Sequence, residues 1–159
     1  MTSFILSRLD YGNATLAGIS TYPLQWLQSV MNSATRLVFS SSKCAHITPL
    51  LRQLHWLRAP ERIDFKLAVL VYNCLHGTAP SYLVDDLRRT TDLQARRHLR
   101  SASLSSLIVR RTWLLTIGER SFPVAAAHVW NSLPQHVSSA PSLTIRSRLK
   151  THLISRSFP

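Results

Sequence analysis

The stretch Tyr82-Leu83-Val84-Asp85-Asp86 places two adjacent carboxylates beside an aromatic residue, a grouping able to hold a divalent metal. Nucleic-acid polymerases present an aromatic residue, one spacer and two aspartates on a β-hairpin, where the carboxylates carry the catalytic ions. Here two residues separate Tyr82 from Asp85. Pro80-Ser81 precedes the stretch, and Leu83 and Leu87 stand one helical turn apart, so helix spacing fits better than a hairpin. Acidic residues in a first helical turn are favoured by the helix dipole. No third carboxylate lies in an apolar strand upstream, and no catalytic residue is assigned.

Cys44-Ala45-His46 and Cys74-Leu75-His76 together offer two thiols and two imidazoles. Zinc-finger ligand pairs are spaced by two to four intervening residues, whereas these have one, and Cys74 falls on the apolar line of a helix. Buried free cysteine is common, so no metal is assigned. The seven histidines and many serines come without a G-x-S-x-G elbow, and only seven acidic residues are present to orient a base. Four scattered glycines form neither a phosphate-cradling loop nor a dinucleotide fingerprint, and no cofactor is expected.

Charge speaks more clearly. Nineteen basic residues face seven acidic ones, and sixteen of the nineteen are Arg, giving a formal net charge of +12. Such an excess points to polyanions, and Arg adds bidentate phosphate geometry and stacking on bases. Arg88, Arg89, Arg96, Arg97, Arg100, Arg110 and Arg111 share one segment with a single acid, Asp92. They can follow a phosphate backbone and release its counterions. The alternative for this segment is a solvated loop with no partner. Ser101, Ser103, Ser105 and Ser106 follow Arg100, where phosphorylation would cancel part of the charge. Arg146, Arg148 and Lys150 form a second basic set. Trp26, Trp56, Trp113 and Trp130 could stack on bases, but Trp56 and Trp130 read as core residues from their apolar neighbours.

These groups need elements to hold them. Leu24, Leu27, Met31, Ala34 and Val38 follow Pro23 at spacings of three and four, predicting an amphipathic helix that ends at Ser40-Ser41-Ser42-Lys43. Thr48-Pro49 predicts the start of a short helix through Leu50, Leu51 and Leu54. Pro60-Glu61 opens the strongest helix, with Ile63, Leu67, Leu70, Val71 and Cys74 facing the core and Gly77 closing it. Residues 2–18 read as helical despite Gly12 and Gly18, and residues 90–106 read as a loop. Ile108, Val109 and Thr112 predict a short strand or hairpin around 107–117. Residues 119–132 return to helix, and Ser142 caps a last one bearing Ile145, Leu149 and Leu153.

The segments "SRLDYGNATLAGI", "PLQWLQSVMNSATRLV", "HITPLLRQLHWLRAPERIDFKLAVLVYNCLHGTAPSYL", "RRHLRSAS", "VRRT" and "GERSFPVAAAHVWNSLP" follow in one order between Ser7 and Pro134, within a likeness that covers about residues 3–154. This series resembles the region after the polymerase core in LINE-type non-LTR retrotransposon reverse transcriptases of the CR1, L2 and jockey-like groups. The resemblance implies a thumb-like helical part followed by a C-terminal accessory region. The family copies its own RNA into DNA at a nicked target, but its polymerase aspartates and endonuclease residues have no matching positions here. Gly12, Arg58-Ala59 and Ala127-His128-Val129 depart from the family pattern.

The resulting expectation is a mainly α, irregular helical bundle with one short β element, divided into a thumb-like segment (1–42) and an accessory region (43–159). It would bind RNA or single-stranded DNA without catalysis. A protein-interaction fragment, pairing with a separate reverse-transcriptase core, is the alternative, and a decayed reading frame without function is a third. Two cysteines point to a reducing, intracellular setting, cytoplasmic or nuclear. The densest apolar run, from Leu67 to Tyr72, is far short of the roughly 18 residues of a membrane span, and no export leader is read.

Overall fold

Apolar residues three and four apart dictate the layout of the chain, because each helix must bury the stripe they make. The computed structural model describes residues 7–8, 10–90 and 106–158. The structure is mainly helical. A 3-10 turn (Asn13–Leu16) precedes α1 (Thr21–Val38), α2 (Ile47–Gln53), α3 (Ala59–Leu75) and the single turn α4 (Ser81–Val84). After the undescribed residues come α5 (Leu115–Gly118), α6 (Phe122–Asn131), α7 (Gln135–Ser138) and α8 (Ser142–Ser157).

α3 is the central element and packs against α6, α8, α1, α4 and the 3-10 turn. Ile63, Leu67, Val71 and Cys74 are buried as their spacing predicts, while Leu70 is half-buried and Ala68 and Tyr72 join the core. One cluster gathers Val71, Ala126, Trp130, Val137, Leu149 and Leu153 from α3, α6, α7 and α8. A second joins Met31 and Ala34 of α1 to Leu51, Trp56, Ala59 and Phe158, so packing runs across position 42.

The ends of α1, α2 and α3 share one backbone solution. At α3, Thr78 N–H reaches Asn73 O at 2.9 Å and Gly77 N–H reaches Cys74 O at 3.4 Å, with Gly77 at φ 69°. This is the Schellman arrangement, which satisfies carbonyls the helix leaves unpaired. α1 and α2 close the same way, but with Ser40 (φ 48°) and His55 (φ 53°) in the left-handed position. A side chain there costs about 1–2 kcal/mol that glycine avoids. At α2 the following residue, Trp56, packs with Leu51 in the second cluster.

Three expectations are corrected. Residues 2–18 do not form one helix where they are described, because Gly12 (φ 74°) and Gly18 (φ 65°) take left-handed conformations on either side of the 3-10 turn. The strand or hairpin at 107–117 is replaced by an isolated antiparallel bridge between Leu107 and Arg89, followed by the helical turn α5. Thr112, expected in that strand, instead lies against Gly118, where its side chain occupies the space of a missing Cβ. Finally, α4 is so short that Asp85 stands at its C-terminal end and not in a first turn.

Candidate nucleic-acid interface

Residues 88–90 and 106–108 run antiparallel. Thr90 N–H donates to Ser106 O at 3.1 Å and Ile108 N–H to Arg88 O at 2.9 Å, with Arg89 facing Leu107 between them. Just outside the pairing, Arg110 Nη1 lies 4.0 Å from Asp86 Oδ1. Arg96, Arg97 and Arg100 lie outside the described residues, as do Ser101, Ser103 and Ser105. The two ends of their segment are nevertheless joined at Thr90 and Ser106, whose hydroxyls stand 3.3 Å apart.

This pairing sorts the predicted phosphate ligands. Arg88 and Arg111 are exposed, and Arg110 is about half exposed beside Asp86. Arg89 is turned to the end of α3, where its Nη2 donates to Leu75 O at 2.6 Å. A guanidinium at a helix C-terminus meets both an unpaired carbonyl and the negative end of the dipole. Arg89 is thus a structural clamp holding the neck of the basic segment on α3.

Leu107 is held from the other side. Its N–H donates to Asn131 Oδ1 and its carbonyl accepts from Asn131 Nδ2, both at 2.9 Å. The last residue of α6 therefore fixes the point at which the chain returns from the basic segment. Beyond it the chain runs to Trp113, whose side chain is 101% exposed, two residues after Arg111. Val109, Leu114 and Ile117 are exposed nearby.

The second basic set is divided. Arg146 and Lys150 lie one turn apart on one flank of α8, and Arg148 is on the other, roughly 200° round from Arg146. Arg148 Nη1 donates to His136 O at 3.1 Å. Arg146 lines a groove with Asn73, His76 and Thr78 at the C-terminal end of α3. α8 contains no acidic residue, and its remaining cation, Arg156, reaches Asp64 Oδ2 at 3.1 Å.

The other candidate chemistry is dispersed. Cys44 is exposed before α2, whereas Cys74 is buried within α3 and its burial pushes the thiol pKa up. His76 stacks on Tyr72 at 3.9 Å, and its Nδ1 lies 2.9 Å from Tyr72 O. Among the described residues no three His, Cys, Asp or Glu side chains converge. A cavity of about 490 Å³ opens between His76, Arg89, Asn131 and Gln135. Among the described residues no carboxylate lines it, and Arg89 and Asn131 are already engaged.

Trp56 and Trp130 are buried, as their apolar neighbours predict. Trp26 and Trp113 are the exposed tryptophans, and Trp113 is the more exposed of the two. The available signal was its place directly after Arg110-Arg111-Thr112, outside any helical apolar period. No protein-family model, curated protein or solved structure matches this chain. Among the described residues no helix is long and apolar enough to cross a membrane.

Proposed function

We propose that this chain is a non-catalytic accessory region of a LINE-type reverse transcriptase, which holds RNA or single-stranded DNA without strong sequence preference. One observation carries the reading. The pairing of 88–90 with 106–108 puts Arg88, and just beyond it Arg110 and exposed Arg111, at the neck of a segment that also bears Arg96, Arg97 and Arg100. Arginines gathered this way neutralise phosphates whatever the base, so affinity would depend on salt rather than sequence. Arg146 and Lys150 would extend the track along α8.

The test compares wild type with an Arg96→Ser/Arg97→Ser/Arg100→Ser variant and an Arg88→Ser/Arg110→Ser/Arg111→Ser variant, titrated with oligouridine across a salt series. Each lost phosphate contact should lower the logarithmic salt slope by about 0.7 for a single strand. Affinity should fall by a similar factor for oligouridine and mixed sequences. Unchanged affinity and slope in both variants would remove the assignment.

A second reading rests on α1. Tyr22, Trp26, Val30 and Leu37 are exposed within roughly 80° of one another on a helix whose single charge is Arg36. Leu16 and Ile19 continue this surface into an apolar hollow. Contiguous apolar surface of this kind marks association with protein, here a separate polymerase core. Such association would persist at high salt, where phosphate binding fades.

A further inference from the structure

We propose that Trp113 is a base-stacking platform that makes the basic surface selective for single strands over duplex; this rests on the nucleic-acid reading above. The indole is wholly in solvent, whereas Trp56 and Trp130 are buried in the core. A large aromatic normally contributes by burial, so full exposure leaves its faces available to a ligand.

The residue is also presented by an ordered turn. Gly118 N–H donates to Leu114 O at 2.7 Å, and Ser121 Oγ donates to Gly118 O at 2.6 Å. Thr112 occupies the space beside Gly118 that a side chain there would need. The turn is therefore pinched shut between Thr112 and Gly118, with Trp113 immediately beyond the pinch. Arg120 N–H, bonded to Ile117 O at 3.2 Å, ties down its far side.

Charge selects the ligand class. Arg111 lies two residues before Trp113 in the chain, and the pairing of 88–90 with 106–108 brings Arg88 beside the stretch that leads on to Arg110 and Arg111. Arg110 gives up little to a phosphate, because its 4.0 Å ion pair with Asp86 is about half exposed. Trp26 supplies the contrast: it too is exposed, but on the nearly uncharged stripe of α1. An aromatic beside arginines fits stacked bases on a phosphate chain; an aromatic on a neutral stripe does not. Every base has a π-face, so stacking tolerates sequence, whereas bases within a duplex are already stacked on each other.

The experiment uses full-length chain in a Trp26→Phe background, where Trp113 is the exposed tryptophan among the described residues. Oligouridine and a duplex RNA of equal length are titrated, reading tryptophan quenching and anisotropy of labelled RNA. Stacking predicts quenching by the single strand, and about 5- to 150-fold weaker single-strand binding in Trp113→Ala, the range of one stacked base. Trp113→Phe should retain most of the affinity, and duplex binding and the salt slope should be unchanged in both. Equal binding of oligouridine by Trp113→Ala, or equal losses for single strand and duplex, overturns the platform while leaving the arginine track intact. No salt-dependent binding by the parent chain removes both readings. Concentration-dependent self-association that Trp113→Ala abolishes, in the absence of RNA, would assign the turn to a protein contact and overturn the proposal.

Discussion

Asn131 treats Leu107 as a neighbouring strand would: its side-chain amide accepts from the Leu107 N–H and donates to the Leu107 carbonyl, both at 2.9 Å. Leu107 itself is buried in the main core. Two backbone groups beside that core are thus satisfied by one side chain at the end of α6. Removing it leaves both without their partner, at a cost of about 1–3 kcal/mol. Asn131→Ala should lower the melting temperature by roughly 2–4 °C for each kcal/mol lost. Asn131→Asp keeps an acceptor for the N–H but turns a carboxylate oxygen toward the carbonyl, so it should rescue little. Far-UV circular dichroism melts decide; an unchanged Asn131→Ala midpoint would show that the clamp carries no weight.

Phe158 joins the far end of α8 to the first half of the chain. Its ring is buried with Met31, Leu51 and Trp56, and Arg52 Nη2 donates to its carbonyl at 2.7 Å. The Arg58 guanidinium lies 5.0 Å from the ring centroid and that of Arg52 5.8 Å. Phe158→Ala should cost about 3–5 kcal/mol and lower the melting midpoint by roughly 10 °C. Arg58→Ala should cost far less, since an exposed cation over a ring contributes about 0.5–1 kcal/mol. A double-mutant cycle measures their coupling, and coupling near zero would leave only the packing.

The two thiols should react in sequence. Cys44 is exposed, while Cys74 is buried in α3 and its burial holds the thiol in the neutral, unreactive form. A maleimide at neutral pH should label Cys44 alone, and Cys74 should follow only in denaturant. Mass spectrometry of the labelled chain reads the outcome. Simultaneous labelling of both under native conditions would mean that α3 opens far more readily than its central packing implies.

The contrast between α3 and the 88–90/106–108 pairing shows what could be read in advance. Ile63, Leu67, Val71, Cys74 and Gly77 encode a helix and its stop within one local stretch, and the structure follows them. Ser40 and His55 encode nothing comparable: their left-handed backbone is imposed by the Schellman bonds and, at α2, by Trp56 packing with Leu51. β-branched Ile108, Val109 and Thr112 suggested a strand, yet only the Ile108 N–H finds a strand-like partner, in Arg88 on a distant segment. Arg89 looked like any other arginine of its cluster. Its turn toward Leu75 depends on where α3 ends, which no local pattern states. The basic character of the site was therefore legible, but the division of labour among its arginines was not.

Asp64 offers a pH test of the contact between α3 and α8. Burial lifts its carboxyl above the ordinary range, and the attraction of Arg156 opposes that as a smaller effect; Glu61 adds repulsion. Because the folded-state value is raised, the native chain takes up the proton at higher pH than the unfolded chain does. Asp64 therefore adds stability as pH falls through its raised value, with the gain complete below the ordinary carboxylate range, and that gain is lost again as pH rises. At neutral pH the charged form is a net cost, so Asp64→Asn should melt at or above the wild-type temperature. The difference should shrink toward zero once pH is below the ordinary range, where both side chains are uncharged. Melts across that window decide the sign. A lower midpoint for Asp64→Asn at neutral pH would mean that the 3.1 Å pair with Arg156 outweighs desolvation, making the contact an attractive ion pair and not a tolerated buried charge.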